Sequence, residues 1–471
     1  MARRLVGIIN CLMLLMGACA EKTTVSYYRH VDFSGVHNIT LKYPFSPDTT
    51  LPDYYFKVSF DDKERIKILE FPAIGGKGTD PAVGYSAIWM SYSKDAEKWL
   101  YLDSNGHPTV NDKGIYSELY ELDRRGFLKS RANLDAQGKI AEDSSGVAIY
   151  LLTCDDRGLV TERLGLNIEG DTIIDKEGNY RIHYVFDENG FLIEEANYGE
   201  GGALAEATDG VTITRFKYDS LGNVIEESYC DSLMNPRENH DSKVAKVEYS
   251  YDEAGRVIEY RYFDASGELA VGADRGYPIL RISYWENGNY SEFKVCGADE
   301  SVLRTSKFTP GGIKTEDRFF DSQGNPVVDS AEGYATYRVE FDDRGNMIEE
   351  NYFNEKMRPI FPKSFSFASV RSEFNTRNNR TKCSWYDADG NLCENKHLSC
   401  AIVNYKYDYQ KGIVTETCLD TDGVPQECVH GYAVRQIKYD GAGNIMEDKY
   451  FDKAGNLITD ARFDEDGGRL D

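Results

Sequence analysis

Apolar and polar positions alternate along most of this chain. Ala245, Val247, Tyr249 and Tyr251 are apolar or aromatic, and Lys246, Glu248 and Ser250 lie between them. Ala335, Tyr337, Val339 and Phe341 repeat the pattern against Thr336, Arg338 and Glu340. A period of two marks a half-buried strand, not a helix. Successive alternating stretches are joined by Tyr/Phe-Asp-x-x-Gly-Asn, as at Tyr439-Asp440-Gly441-Ala442-Gly443-Asn444. Asp at the first position and Gly at the fourth suit a type I turn, because Asp accepts local backbone bonds and Gly takes conformations that other residues resist. Each unit is therefore expected to be a β-hairpin. A second Asp-x-x-Gly turn leads on to a shorter third segment such as Asn325-Pro326-Val327.

The spacing makes this a repeat. First-turn aspartates stand at Asp123, Asp155, Asp187, Asp219 and Asp252, 32 or 33 residues apart, and again at Asp342, Asp408 and Asp440, with Asn375 in the remaining slot. Gly84, Gly114, Gly146, Gly178 and Gly210 open successive units. A fixed period in this range implies a repeat architecture. The expected fold is all-β: an elongated array of stacked β-hairpin repeats with a period of about 32 residues, either solenoid-like or a continuous twisted sheet. The repeats are expected over 54–464, with irregular stretches at 285–320 and 358–379. A tether and N-terminal cap precede them at 20–53, and a short tail, 465–471, follows. Register is open at this stage. A two-residue loop sets Arg215 opposite Glu226, and a loop with a Gly bulge sets Phe216 there. The apolar set Ile258, Tyr260 and Tyr262 favours the first.

Composition narrows the setting. The chain has 471 residues, 41% of them apolar, with 33 Tyr and a formal charge of −25. That acidity disfavours nucleic acid and anionic membrane surfaces as partners. Residues 1–19 read as an export signal: Arg3 and Arg4, then an apolar run from Leu5 to Met16 too short to span a bilayer. Met16-Gly17-Ala18-Cys19 resembles the lipobox of bacterial lipoproteins, which implies lipidation at Cys19 as the mature N-terminus. The expected address is the cell envelope, as an outer-membrane or cell-surface lipoprotein that meets the membrane only through its lipid. Cleavage after Ala20 instead gives a periplasmic or secreted chain. Cys154, Cys230 and Cys296 read as small buried hydrophobes. Cys383 and Cys393 flank the Asp387-Ala388-Asp389-Gly390 turn, where an exported chain permits a cross-hairpin disulfide.

Two groups of residues are candidates for function. Four residues past the first-turn Gly stand Glu162, Glu194, Glu226, Glu259, Glu292, Glu349 and Glu447, with Glu316 in a shortened unit. Repetition aligns them as an acidic stripe. It is either a site for a divalent cation such as calcium or for a basic partner, or a solvated face balanced by cations such as Arg215 near Glu226 and Arg338 near Glu349. The second reading is favoured. Phe361, Phe365 and Phe367 form a basic, Phe-rich patch that either binds a partner or packs against the next unit. No catalytic constellation stands out, and Asp420-Thr421-Asp422-Gly423 lacks the rest of a calcium loop. No enzyme, catalytic residue or cofactor is expected.

Tyr218-Asp219-Ser220-Leu221-Gly222-Asn223 and its counterpart at Tyr439 resemble the YD repeats of bacterial RHS-type surface proteins. The resemblance implies an exported β-hairpin array, which in large members coils into a shell around a C-terminal toxin. This chain lacks the Asp-Pro-x-Gly signature that precedes such toxins. The expected function is a surface-anchored scaffold presenting a face to a protein or glycan ligand. A purely structural envelope spacer is the alternative, and a hydrolase with its site in the irregular repeats is the third reading.

Overall fold

The computed structural model describes residues 23–34, 36–46, 55–71, 84–272, 276–441 and 443–462. The lipobox with Cys19 and the tail lie outside them. The described residues form 29 strands, with every pairing antiparallel and no helix. The expectation of an all-β hairpin array with a period of about 32 residues holds. Hairpins join edge to edge: within one hairpin the ladder is long (Ile213↔Cys230 to Tyr218↔Val224), whereas adjoining hairpins commonly share a shorter one, as from Glu194↔Arg215 to Ala196↔Ile213.

The turns account for the motif. Asp219 N–H donates to the Asn223 carbonyl (2.9 Å), and Gly222 N–H donates to the Asp219 carbonyl (3.1 Å). Asp219 Oδ1 accepts from the N–H groups of Leu221 and Asn223. One aspartate thus satisfies two backbone donors, and Gly222 supplies the positive φ, 79°, that the loop needs. At the loop, Tyr218 pairs with Val224 as the Gly-bulge alternative requires, but a further bulge then displaces the strands by one residue. Lys217 lies opposite Glu226, Phe216 opposite Glu227 and Arg215 opposite Ser228, so both expected pairings are corrected. The bulge falls between Lys217 and Tyr218.

Each regular unit carries a third turn that the reading of the sequence passed over. After the second turn a single bridge such as Leu134↔Ile140 forms, and then Asp143 closes a further loop, with Gly146 N–H donating to its carbonyl (3.0 Å). These third turns are tied to one another. Ser144 N–H donates to Lys113 O (2.9 Å), Lys176 N–H to Ser145 O (3.1 Å) and Thr208 N–H to Glu177 O (2.9 Å). The approach is close enough that a Cβ on Gly178 would sit 2.8 Å from Thr208 N.

Two compact units divide the chain. In the first, residues 1–241 with 251–256, consecutive strands from Phe56–Phe60 to Val224–Cys230 form an unbroken ladder. Strand β1 (Thr24–Ser34) pairs through Thr24–Tyr28 with β3 (Phe56–Phe60) and through Tyr27–Ser34 with β2 (Asn38–Phe45). Beyond Tyr28 the β1–β2 hairpin leaves β3 and crosses the apolar face of the unit. Ile39 packs on the cluster of Ile88 and Trp99, and Val36 on that of Tyr150 and Leu152. The Tyr43 hydroxyl bonds Asn223 Oδ1 (2.9 Å), and its ring fills the space over Gly255. The unit is a sheet wrapped against its own hairpin.

In the second unit, residues 242–250 with 257–471, consecutive strands from Val257–Phe263 to Leu457–Arg462 pair in turn. The period breaks where Tyr290–Cys296 pairs directly with Val302–Phe308 through the tight turn Gly297–Ser301. Glu300 at that turn bonds Arg261 (2.9 Å) and Arg281 (2.8 Å), both of which also hold Glu259. Across 358–379 the backbone repeats faithfully. Asn375 accepts the bonds an aspartate takes elsewhere, and Asn378, at φ 60°, replaces the glycine. Behind the strands lies a core of Phe319, Tyr334, Tyr352, Phe367 and Trp385.

Candidate functional site

The second unit opens a concavity of about 260 Å³ on its aromatic face. The strands Met347–Phe353, Ser369–Phe374 and Arg380–Tyr386 form its floor, and the third-turn segment that carries Phe365 and Phe367 forms its wall. The alternation of each strand aims Glu350, Tyr352, Val370, Cys383 and Trp385 to this side. Glu349, one residue before Glu350, turns its side chain toward Arg371 of the neighbouring strand (3.0 Å). The consecutive Glu-Glu of the motif therefore gives each face of the sheet one carboxylate.

Aromatic rings dominate the concavity. Phe365 stacks on Phe367 with centroids 5.0 Å apart, and Tyr352 stands 5.9 Å from Phe365 and 5.2 Å from Tyr337. Phe367 is buried, whereas Phe365 remains 40% exposed at the rim. The Tyr337 hydroxyl donates to Glu350 Oε1 (2.8 Å). Among the described residues nothing donates to Oε2. Burial and the nearby Glu350 carboxylate together push the Tyr337 and Tyr352 phenols well above their ordinary range, so both remain neutral donors. Arg380 is exposed at the edge. The arrangement offers flat apolar surface, one half-satisfied carboxylate and a peripheral cation. It can bind, but it shows no nucleophile held by a base.

The Phe patch is split by the structure. Phe365 and Phe367 enter the concavity, and Phe361 stays on the surface, 45% exposed. Sequence reading found these two but missed Glu350, Tyr352 and Trp385. The signal was present: all three lie on the face that alternation assigns to the core.

The acidic stripe forms a ladder of ion pairs on the opposite face. Glu194 meets Arg215 (2.9 Å), Glu226 meets Lys217 (2.8 Å), Glu292 meets Lys294 (3.0 Å) and Glu162 meets Arg181 at 3.8 Å. Glu259 lies between Arg261 and Arg281, and Glu316 between Lys307 and Arg338. Glu447 sits between Lys449 and Lys438, which hold its carboxyl down to about 2. The cations differ from those expected. Arg215 serves Glu194 of the preceding hairpin, and Arg338 serves Glu316, because a bulge beside each turn shifts the register. Among the described residues no three His, Cys, Asp or Glu side chains converge as a metal site. Asp420 is spent on its own turn, accepting from Asp422 and Val424 N–H.

The cysteines also differ from expectation. Cys393 N–H bonds Trp385 O (2.9 Å), so Cys393 lies opposite Trp385, two residues from Cys383, and both thiols are free. The disulfide is Cys400–Cys418, with Cα atoms 5.5 Å apart. Cys230 and Cys296 are buried as small hydrophobes, and Cys154 is half-buried.

No protein-family model matches the chain, and no curated protein matches it. Among solved structures, the crystal structure of TcdB2-TccC3 aligns over 88% of this chain and 23% of its own, with 12% identity and a TM-score of 0.22. The crystal structure of TcdB2-TccC3-Cdc42 aligns over 88% and 22%, with 13% identity and the same TM-score. The chain spans under a quarter of the length of those proteins. Overlays this loose transfer neither detail of fold nor function.

Proposed function

We propose that this chain is an exported, lipid-anchored β-repeat scaffold of the bacterial envelope that binds a partner through the aromatic concavity of its second unit. The observation that carries this is the concavity itself: rings exposed at a rim around a carboxylate with one open oxygen. Aromatic anchors near a desolvated pocket are where binding energy concentrates. Export is supported by the Arg-led apolar start with Cys19, and by the Cys400–Cys418 disulfide, which belongs to oxidising compartments. The sequence resemblance to YD repeats adds weight to a surface address. The ligand is a protein or glycan, and the reading assigns the chain no catalysis and no cofactor.

The test is a glycan array and an envelope pull-down with the mature chain, each repeated with Phe365→Ala. Ligands captured by the parent and lost by the variant support the reading. Silence in both assays overturns it. The spacer alternative draws on the paired acidic ladder, in which Glu194, Glu226 and Glu349 each meet a cation of the same sheet face. Deletion of one whole unit, 146–177, that leaves all envelope function intact favours it.

A further inference from the structure

The first unit shows what such a face accepts. The β1–β2 turn brings Val36 and His37 down onto it. His37 Nε2 bonds Glu97 Oε2 (2.9 Å), and its ring lies 5.0 Å from Trp99 and 4.7 Å from Tyr120, edge-on to the latter. Val36 packs beside it on the cluster of Tyr150 and Leu152. Glu97 and Trp99 stand two residues apart on one face of the strand Ala96–Leu102.

The concavity of the second unit repeats that chemistry. Glu350 and Tyr352 also stand two residues apart on one face of a hairpin's second strand, Met347–Phe353. Trp385 and Phe365 supply further rings, and Val370 supplies an aliphatic floor. No described segment of the chain donates to Glu350 Oε2. We propose that this concavity is a receptor for a β-hairpin tip of another polypeptide, carrying an imidazole or ammonium group beside a β-branched residue. The cation or imidazole N–H would pair with Glu350 Oε2, its ring or stem would lie on Tyr352 and Trp385, and the aliphatic neighbour would cover Val370. A protein is favoured over a glycan because the chain covers its own carboxylate-and-ring surface at Glu97 and Trp99 with a peptide. The formal charge of −25 complements a basic tip. This rests on the binding reading above and names the ligand for it.

The probe is a disulfide-cyclised peptide with the sequence of residues 27–45, titrated into the mature chain by calorimetry. Binding is expected, weakened about tenfold by Glu350→Gln and by Phe365→Ala, whose rim position spares the fold. Glu97→Gln should leave it unchanged. A peptide in which the residue 37 imidazole is replaced by a methyl group should bind about tenfold more weakly. No binding, or binding lost on Glu97→Gln and kept on Glu350→Gln, overturns the proposal, because the second result means competition with the resident hairpin. If the peptide is silent while an oligosaccharide binds in a Trp385-dependent manner, the site stands and the peptide inference falls. If neither binds, both fall.

Discussion

The two units use one repeat to opposite ends. In the first, the face bearing Trp99, Tyr120 and Tyr150 is covered by the N-terminal hairpin, and even its charged groups are sealed in. Glu118 is 6% exposed, pairs with Arg131 at 3.5 Å and accepts from the Tyr120 hydroxyl at 2.6 Å. In the second, the corresponding face is closed by rings from its own third turns, and a gap remains at Glu350. The difference shows that the hairpin array alone does not complete a core. Strands with a period of two bury one side only if something is laid against it. Where the chain supplies that something, the face becomes interior; where it does not, the face can serve a ligand.

The comparison can be broken most sharply inside the first unit. Tyr120→Ala removes a ring that is 1% exposed and contacts His37. It should cost about 3–5 kcal/mol and release the hairpin tip. Hydrogen exchange should report the loss at β2 and at Asn223, while the Trp385 region keeps its protection. Equal loosening in both units would show that they do not stand independently.

In the second unit the counterpart is a buried charge. Asp317 is 0% exposed and accepts from Nε and Nη2 of Arg304 (2.9 and 2.6 Å) and from the Ser306 hydroxyl (2.9 Å). Asp317→Ala should cost about 3 kcal/mol, because it leaves Arg304 without its partner in a half-buried site. Burial alone would raise the Asp317 carboxyl, but Arg304 outweighs it and holds the group below the ordinary value. A depressed carboxyl contributes stability that is fully present above its unfolded pKa, about 3.9, and lost as pH falls through the folded pKa. Asp317→Asn should therefore flatten the acid limb of the second unit in urea melts taken between about pH 5 and 2. In the first unit, burial raises the Glu195 carboxyl despite Arg163, so acidification relieves a cost there.

A smaller effect is expected from the disulfide. Replacing Cys400 and Cys418 with Ser opens a loop of 18 residues and should lower the second unit's stability by about 2–3 kcal/mol, read as an earlier urea midpoint. The smallest belongs to the outward ladder. Glu226→Gln breaks an exposed pair with Lys217 and should change stability by under about 0.5 kcal/mol. Lys246 is a less neutral site than alternation suggests, since its ammonium lies 3.9 Å from the Phe263 ring centre and pairs with Glu248.

The sequence showed the hairpins, the period and the burial of Ala245 and Val247, because those rest on local alternation and turn chemistry. It did not show register, because a second bulge, between Lys217 and Tyr218 in one hairpin and Glu340 and Phe341 in another, shifts every pair beyond the turn, and no local signal in the strand announces it. The third turn was readable at Asp143-Ser144-Ser145-Gly146 and Asp175-Lys176-Glu177-Gly178, one period apart. The cover over the first unit was not, because His37 and Glu97 are 60 residues apart and neither carries a motif. The concavity was half readable. Phe365 and Phe367 stood out by composition, whereas Glu350 was hidden behind its neighbour in the acidic stripe.

The bonds between third turns set a rule for how such a chain can change length. Ser144 to Lys113, Lys176 to Ser145, Thr208 to Glu177, and in the second unit Lys363 to Glu332 and Val429 to Leu398, all span 31 residues. Each turn hands its N–H to the turn one lap earlier, so the array has a phase as well as a period. Gene duplication or loss of a whole lap preserves that phase and re-forms every bond. A single inserted codon within a strand throws all later laps out of step and flips the faces of the strand it enters. The tight Gly297–Ser301 turn shows the tolerated exception: a complete extra hairpin, added without a third turn, leaves the phase of the laps beyond it undisturbed.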